Sequence, residues 1–512
     1  MSVVAFAPDN DDFFRDPLAA ARQAETPFRL SHSQPSPNLA SSWQLLCRAA
    51  HGRILSLSEF SGFDTLIRFV ERHQRVFSEQ PNNLGAQIRE EVQVAMFGML
   101  VFRQPGHPRI SEYARRCERI VDQHGYTYVR LTAANYLVLY HIWRGDLIGA
   151  EALRQRMAPL RMSTREPHAL LISYSIDAMV RRLFLDFEAC EAAVTAGLAL
   201  AAQSGVHVWD SHFHMQRAYL SLSRNNVRQA AAQLDDMRGS APPTHHLDRA
   251  GYHFCRAWCY CAAGNMPEAL SNARQAVQRA TRAGAVFPIA VTRMGLAQLH
   301  LERGLPHLAL WQMGRVGLTG RSMASTAVPF AQGLVRAHLA LKFGLRRQAV
   351  VLLRSTLRLG REQQYLNFPW WRNEAMAELC ALALEKNIEP DYVQRLIYAR
   401  RLVPPRGAAP RGWRKPLRIR TAGPSPLQLD GAPLALPPEE TILLMTLAGA
   451  EGGLPVAQAV SGLWPESPAD GTARLRRLVS DLRQRLGSEQ LLHCDGETLR
   501  LDSGLVDLDA AV

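Results

Sequence analysis

Thr472–Gly487, TARLRRLVSDLRQRLG, decides how the end of the chain folds. Leu475, Leu478, Val479, Leu482 and Leu486 recur at steps of three and four, which is the signature of one apolar helical stripe. At about 100° per residue the positions opposite are Ala473, Arg477, Ser480 and Gln484. Arg476 and Arg483 flank this face on one side, and Arg474, Asp481 and Arg485 on the other. Such a helix suits a buried scaffold on its greasy side and phosphates on the other. A solvated surface helix has the same pattern, so the neighbouring sequence must decide.

Working outward, Leu417–Thr421 and Pro426–Asp430 alternate like short strands, and Asp430–Gly431 reads as a tight turn into Pro433–Leu436. Pro437–Glu440 opens a helix over Thr441–Ala450, with carboxylates in the first turn. A second short helix, Val456–Trp464, precedes the arginine helix, and Leu491–Cys494 with Thr498–Leu501 reads as a closing hairpin. This order is that of a winged helix, whose third helix enters a major groove while the hairpin touches the backbone beside it.

The phrases LRIRTAGPSPLQLDGAPLAL, PPEETILLMTLA, LWPESPAD, LRRLVSDLRQRLG and CDGETLRLD carry a family likeness. Together, over about Leu417–Asp509, they resemble the winged helix of OmpR-type and SARP-type bacterial transcriptional regulators. The resemblance implies that Arg474, Arg476, Arg477, Ser480, Arg483 and Gln484 contact bases and phosphates. It also implies that Trp464, the aromatic residue ending the second helix, either reaches a phosphate or packs in the core. Asp481 stands where many relatives have a basic residue, and Asp495 and Glu497 place acid on the hairpin.

The whole chain has 512 residues, 47% hydrophobic and 21% charged, with a net charge of +13. That length suits about three domains, and the charge favours polyanionic partners. The charge is also focused. Between Arg400 and Arg420 the basic side chains run without an intervening acid, and Lys415 among them is expected to contact DNA phosphates without regard to sequence. Residues 403–414 therefore read as a basic Pro/Gly linker, 415–512 as the winged-helix domain, and double-stranded DNA as its partner.

Upstream, residues 43–402 read as helix after helix with a repeat. Turns at Pro105–Gly106, Gly145–Asp146, Leu185–Asp186, Asn225–Asn226, Gly264–Asn265, Gly304–Leu305 and Gly344–Leu345 are spaced by 40, 40, 40, 39, 40 and 40 residues. From Gly145 onward a small residue follows each turn at the same offset: Ala150, Cys190, Ala230, Ala269, Ala309 and Ala349. Two helices of a hairpin approach most closely there, so a small side chain is required. The expectation is a mainly α chain: a right-handed α-solenoid of tetratricopeptide (TPR) type, followed by the winged helix. Residues 1–42 read as a flexible arm.

FRQPGHP (102–108), WRGDL (143–147), SGVHVWD (204–210), FPWWRNEAMAELC (368–380) and YVQRLIYARRLVPP (392–405) resemble large bacterial regulators in which a MalT-like helical domain precedes a SARP-like winged helix. Those relatives usually carry an N-terminal NTPase module, which the residues before Trp43 are too few to hold. The resemblance implies a one-component transcriptional regulator, with RNA polymerase and a small-molecule or protein effector as partners, and leaves room for a homodimer. A scaffold whose solenoid binds protein, with a vestigial or polymerase-contacting winged helix, is the competing reading.

No enzyme signature is found: the three lysines, Lys342, Lys386 and Lys415, lie outside any phosphate-binding loop, and no nucleophile–base pair stands out. No cofactor or metal is expected. His253, Cys255, Cys259 and Cys261 cluster, but Cys261 falls about 160° from Cys259 on a helix, so core packing explains them better. His207, Trp209, His212 and His214 gather at one helix start, either as a ligand-sensing group or as ordinary packing. Reduced thiols and the lack of a long apolar run point to a cytoplasmic protein outside the membrane.

Overall fold

The computed structural model describes residues 47, 60, 62–79, 86–123, 127–240, 246–368, 372–405, 409–420, 426–450, 452–465, 470–488 and 490–509. The arm expected over residues 1–42 lies outside them. The chain divides into two compact units, Met1–Val335 with Glu362–Trp370, and Arg336–Arg361 with Trp371–Val512. The boundary expected at residues 402 and 403 thus falls inside the second unit.

The first unit is built of consecutive helices: α1 (Phe63–Glu79), α2 (Ala86–Arg103), α3 (Ile110–Asp122), α4 (Thr127–Arg144), α5 (Leu147–Met162), α6 (Pro167–Leu183), α7 (Phe187–Ser204), α8 (Asp210–Ser223), α9 (Val227–Ser240), α10 (His246–Ala262), α11 (Met266–Ala283), α12 (Val286–Glu302) and α13 (Pro306–Ser322). The division between units falls within α14 (Ala327–Lys342).

The expected repeat lies in the turns. Gly145, Leu185, Asn225, Gly264, Gly304 and Gly344 all take a positive φ, between 59° and 88°. At the first, the Gly145 N–H donates to Ile142 O (3.0 Å) and the Asp146 N–H to His141 O (2.9 Å). The same pair of bonds recurs at each of the others. This Schellman ending satisfies the last carbonyls of a helix and needs a left-handed residue. The next residue then starts the following helix: the side chains of Asp146, Asp186, Asn226 and Asn265 accept the N–H of Gly149, Ala189, Gln229 and Glu268. Ala150, Cys190, Ala230, Ala269, Ala309 and Ala349 are fully buried, as close helix approach demands. The connection at Pro105–Gly106 is wider, with the His107 N–H donating to Gln104 O.

Bonds between distant repeats bring this unit round onto itself. The Phe60 N–H donates to Ala283 O (2.7 Å) and Arg103 Nη1 to Gly284 O (3.1 Å). Ser325 Oγ reaches Trp143 O and the Thr326 N–H reaches Arg144 O, across 182 residues of sequence in the first case. The extended segment 365–368 lies along the helix ends of the same unit. Tyr365 Oη donates to Gly145 O (2.6 Å), and Asn367 Nδ2 donates to Arg182 O and Ser223 Oγ (both 3.0 Å).

The second unit contains α15 (Arg346–Glu362, up to Arg361), α16 (Asn373–Glu385) and α17 (Pro390–Arg400), followed by a small α+β module. The module runs β1 (Leu417–Arg420), β2 (Leu427–Leu429), β3 (Ala432–Pro433), α18 (Pro438–Gly449), β4 (Leu454–Pro455), α19 (Val456–Leu463), α20 (Gly471–Arg485), β5 (Leu492–Cys494), β6 (Thr498–Leu501) and β7 (Val506–Asp509). One sheet has the order β3-β2-β1-β7, with β1 antiparallel to β2 and parallel to β7. The other has the order β4-β6-β5 and is antiparallel. Asp430 and Gly431 both take positive φ in the β2–β3 turn, the demand that an Asp-Gly hairpin meets. Strands β4 and β7 were not expected: two residues carry no periodicity, and β7 is specified by its partner β1 rather than by local signals. No helix among the described residues is long and apolar enough to cross a membrane.

Candidate nucleic-acid interface

Helix α20 is seated by its stripe. Leu475, Leu478, Val479, Leu482 and Leu486 are all buried in one core with Leu443, Leu444 and Leu447 of α18 and with Leu417 and Ile419 of β1. Burial of such side chains contributes roughly 1.5–3 kcal/mol each, so the rotation of α20 about its axis is fixed by the stripe. The opposite positions, Ala473, Arg477, Ser480 and Gln484, are all exposed, as are Arg476 and Asp481.

The arginines divide into two groups. Arg474 Nη2 bonds to Glu439 Oε1 (2.6 Å) and its guanidinium lies 4.5 Å from the centre of the Trp464 ring. Trp464 is itself buried, and its indole N–H donates to the same Glu439 oxygen at 3.1 Å. Near the other end of the helix, Arg485 Nε bonds to Glu440 Oε1 (3.0 Å), and Arg483 Nε donates to Leu492 O of β5 (3.0 Å). Two adjacent carboxylates at the start of α18 thus clamp the two ends of α20. Arg476, Arg477, Ser480 and Gln484 make no such bond among the described residues, so their polar ends remain available.

Lys415 lies apart from this face: its Nζ donates to Ser503 O (2.9 Å) and Val506 O (3.1 Å), tying the chain before β1 to the chain around β7. The acids of the β5–β6 turn are partly structural. Asp495 Oδ1 accepts the N–H groups of Glu497 and Thr498, which shape the turn and hold this carboxyl below its ordinary range. Arg500 pairs with its other oxygen at 3.4 Å. Glu497 and Asp481 remain exposed acids beside a basic face.

The Glu439–Glu440 clamp was missed in the sequence, where the pair reads only as first-turn carboxylates favoured by the helix dipole. Elsewhere, Cys255, Cys259 and Cys261 are buried on α10, and His253 Nδ1 is hydrogen-bonded with Asn272 Oδ1 (2.9 Å). Of the histidine group, His207 pairs at the surface with Asp210, whereas Trp209 and His212 face inward with their rings edge to face at 5.4 Å.

No protein-family model matches the chain, and no curated protein matches it. Among solved structures, it is similar to a Rap protein complexed with competence and sporulation factor, with a TM-score of 0.52 at 10% identity. That match covers 75% of this chain and 98% of the other. The apo form of RapI matches at a TM-score of 0.37 and 13% identity, over 67% of this chain and 96% of its own. The class established is therefore a fold: a mainly helical chain built on a TPR-like solenoid.

Proposed function

We propose that this chain is a one-component DNA-binding regulator, in which the C-terminal module is a winged helix and the solenoid receives the signal. One observation carries the reading: α20 buries its whole apolar stripe and leaves Arg476, Arg477, Ser480 and Gln484 exposed on the outer side, with no side-chain bond among the described residues. In a major groove the two arginines supply bidentate donors for guanine or salt links to phosphate, and Gln484 matches the edge of adenine. Arg474, Arg483 and Arg485 hold the helix in place, and Trp464 works from the core by fixing Arg474 and Glu439. Lys415 supports the sheet that carries the module.

Selection from sheared genomic DNA on the purified full-length chain at physiological salt tests this reading. Enrichment of a shared sequence supports it; a selected pool no different from the input contradicts it.

A second reading, a protein-interaction scaffold, is favoured by two observations. The solenoid shares its fold with a Rap protein solved in complex with a factor. Asp481 and Glu497 also stand where DNA phosphates would approach, at a cost in affinity. Pull-down of protein with no retained DNA would favour this reading.

A further inference from the structure

The first helix of successive hairpins, α2, α4, α6, α8, α10 and α12, turns one face toward a common hollow inside the first unit. Aromatic contacts close the ring: Phe102 meets Trp143 edge to face at 5.0 Å, and Trp143 stacks on Phe287 at 5.5 Å. The hollow has a cavity volume of about 210 Å³ and is partly open to solvent. Its wall is mostly apolar, with Ile176, Met179, Met215 and Phe254 among the lining side chains. A void of that size exceeds what close-packed side chains leave, and an apolar lining with a few polar groups is that of a small-molecule site.

Two places in the wall are polar, and both are incompletely satisfied. At the first, Arg182 is buried, with its Nε donating to Gln216 Oε1 (3.0 Å) and its guanidinium 4.8 Å from the Tyr219 ring centre. No carboxylate pairs with it among the described residues, and burial lowers its pKa. His212 stands next to this group, within 3.2 Å of Gln216 Nε2. Burial, reinforced by Arg182, brings the His212 pKa down to about 4, so the imidazole is neutral at pH 7. At the second place, Asp248 is buried, and one oxygen accepts from Ser211 Oγ at 2.8 Å. Among the described residues its Oδ1 has no partner, nor has Trp209 Nε1. An unpaired buried cation and an unsatisfied buried donor and acceptor destabilise an empty solenoid, and packing alone does not require them.

We propose that the hollow binds an amphipathic small molecule: an aliphatic body with one carboxylate that pairs with Arg182, and one hydroxyl or amide that bonds to Asp248 and Trp209. The apolar wall takes up the body, the guanidinium gains its missing counter-charge, and the neutral polar group satisfies a donor and an acceptor together. This deepens the proposed regulator by naming the chemical class of its effector. The test is a binding measurement, so it stands whether or not the chain binds DNA.

The experiment titrates full-length protein by calorimetry with dodecanoate, 12-hydroxydodecanoate and dodecan-1-ol, each below its aggregation limit. Both acids are expected to bind saturably at one site, the hydroxy acid more tightly, and the alcohol at least tenfold more weakly than either. Arg182→Gln should weaken both acids at least tenfold and leave the alcohol unchanged. Met179→Trp fills the hollow without touching a charge and should abolish all binding while the helical circular dichroism is kept. If Arg182→Gln does not fold, the Met179→Trp variant decides. Absence of saturable binding to the wild type overturns the proposal. So does equal binding of acid and alcohol, or binding that survives in folded Met179→Trp protein.

Discussion

Arg474 and Arg477 lie one turn apart on α20, yet their surroundings differ. Arg474 is held by Glu439 and the Trp464 ring, so Arg474→Ala should lower the stability of the module by roughly 0.5–1 kcal/mol, since the Arg474 and Glu439 side chains are both substantially exposed and their pairing is screened. Urea unfolding checks this. Arg477→Ala should leave stability unchanged but cost roughly 1–3 kcal/mol of binding to a selected site and relax one base position. Anisotropy titration on matched and mismatched duplexes checks that. The stripe beneath both residues was legible because five apolar positions repeat at helical spacing. The engagement of Arg474 and Trp464 was not, because Glu439 is 35 residues away from Arg474 and only the fold brings them together. Asp248 makes a pH prediction. Burial raises its carboxyl pKa from 3.8 to about 6, so the folded chain binds this proton more tightly than the unfolded chain does. Its charge therefore destabilises the fold above about pH 6, and the penalty fades as pH falls toward 4. Asp248→Asn should raise stability by roughly 1–3 kcal/mol at pH 7.5 and by little at pH 4. An equal gain at both pH values would contradict that account.

At the scale of elements, the solenoid is written in its turns. A left-handed residue and a small residue five positions past the turn recur because each hairpin solves the same steric problem, and at four of the six turns a capping Asp or Asn joins them. Gly264 has φ of +77° and no neighbour within 4 Å of where a Cβ would stand. Gly264→Val should therefore cost roughly 1–2 kcal/mol through backbone strain alone. Ala269→Leu, five residues on and fully buried, should cost roughly 1–3 kcal/mol through overpacking. Thermal unfolding of both variants separates the two causes, since only the second disturbs the near-ultraviolet signal of neighbouring aromatic rings. This periodicity made the helical class readable from the sequence. The hollow was not readable. Trp209 and His212 were noticed as a group, but Arg182 and Asp248 look like ordinary helical polar residues until six hairpins curve round them.

For the molecule as a whole, the chain at the two borders of the linker expected over residues 403–414 is held by its neighbours. Gln394 of α17 bonds to both the N–H and the carbonyl of Arg414, Arg401 Nη2 donates to Leu486 O, and Leu402 is fully buried. A fragment of residues 373–512 should accordingly unfold cooperatively at a higher temperature than one of residues 412–512. Equal midpoints would show that α16 and α17 add nothing to the module. Basic, Pro-rich composition reads as a linker, and composition cannot report that Gln394 pairs with the backbone of Arg414. The central claim is that the exposed face of α20 binds DNA, and the salt dependence of binding tests it most directly. Full-length wild type and Arg476→Ala/Arg477→Ala protein are titrated with a selected duplex between 50 and 200 mM salt, roughly the range over which phosphate contacts dominate. The account predicts affinity at least tenfold weaker in the double variant at every salt concentration, with a salt slope shallower by about 1–2. Identical affinity and slope in the two proteins would contradict it.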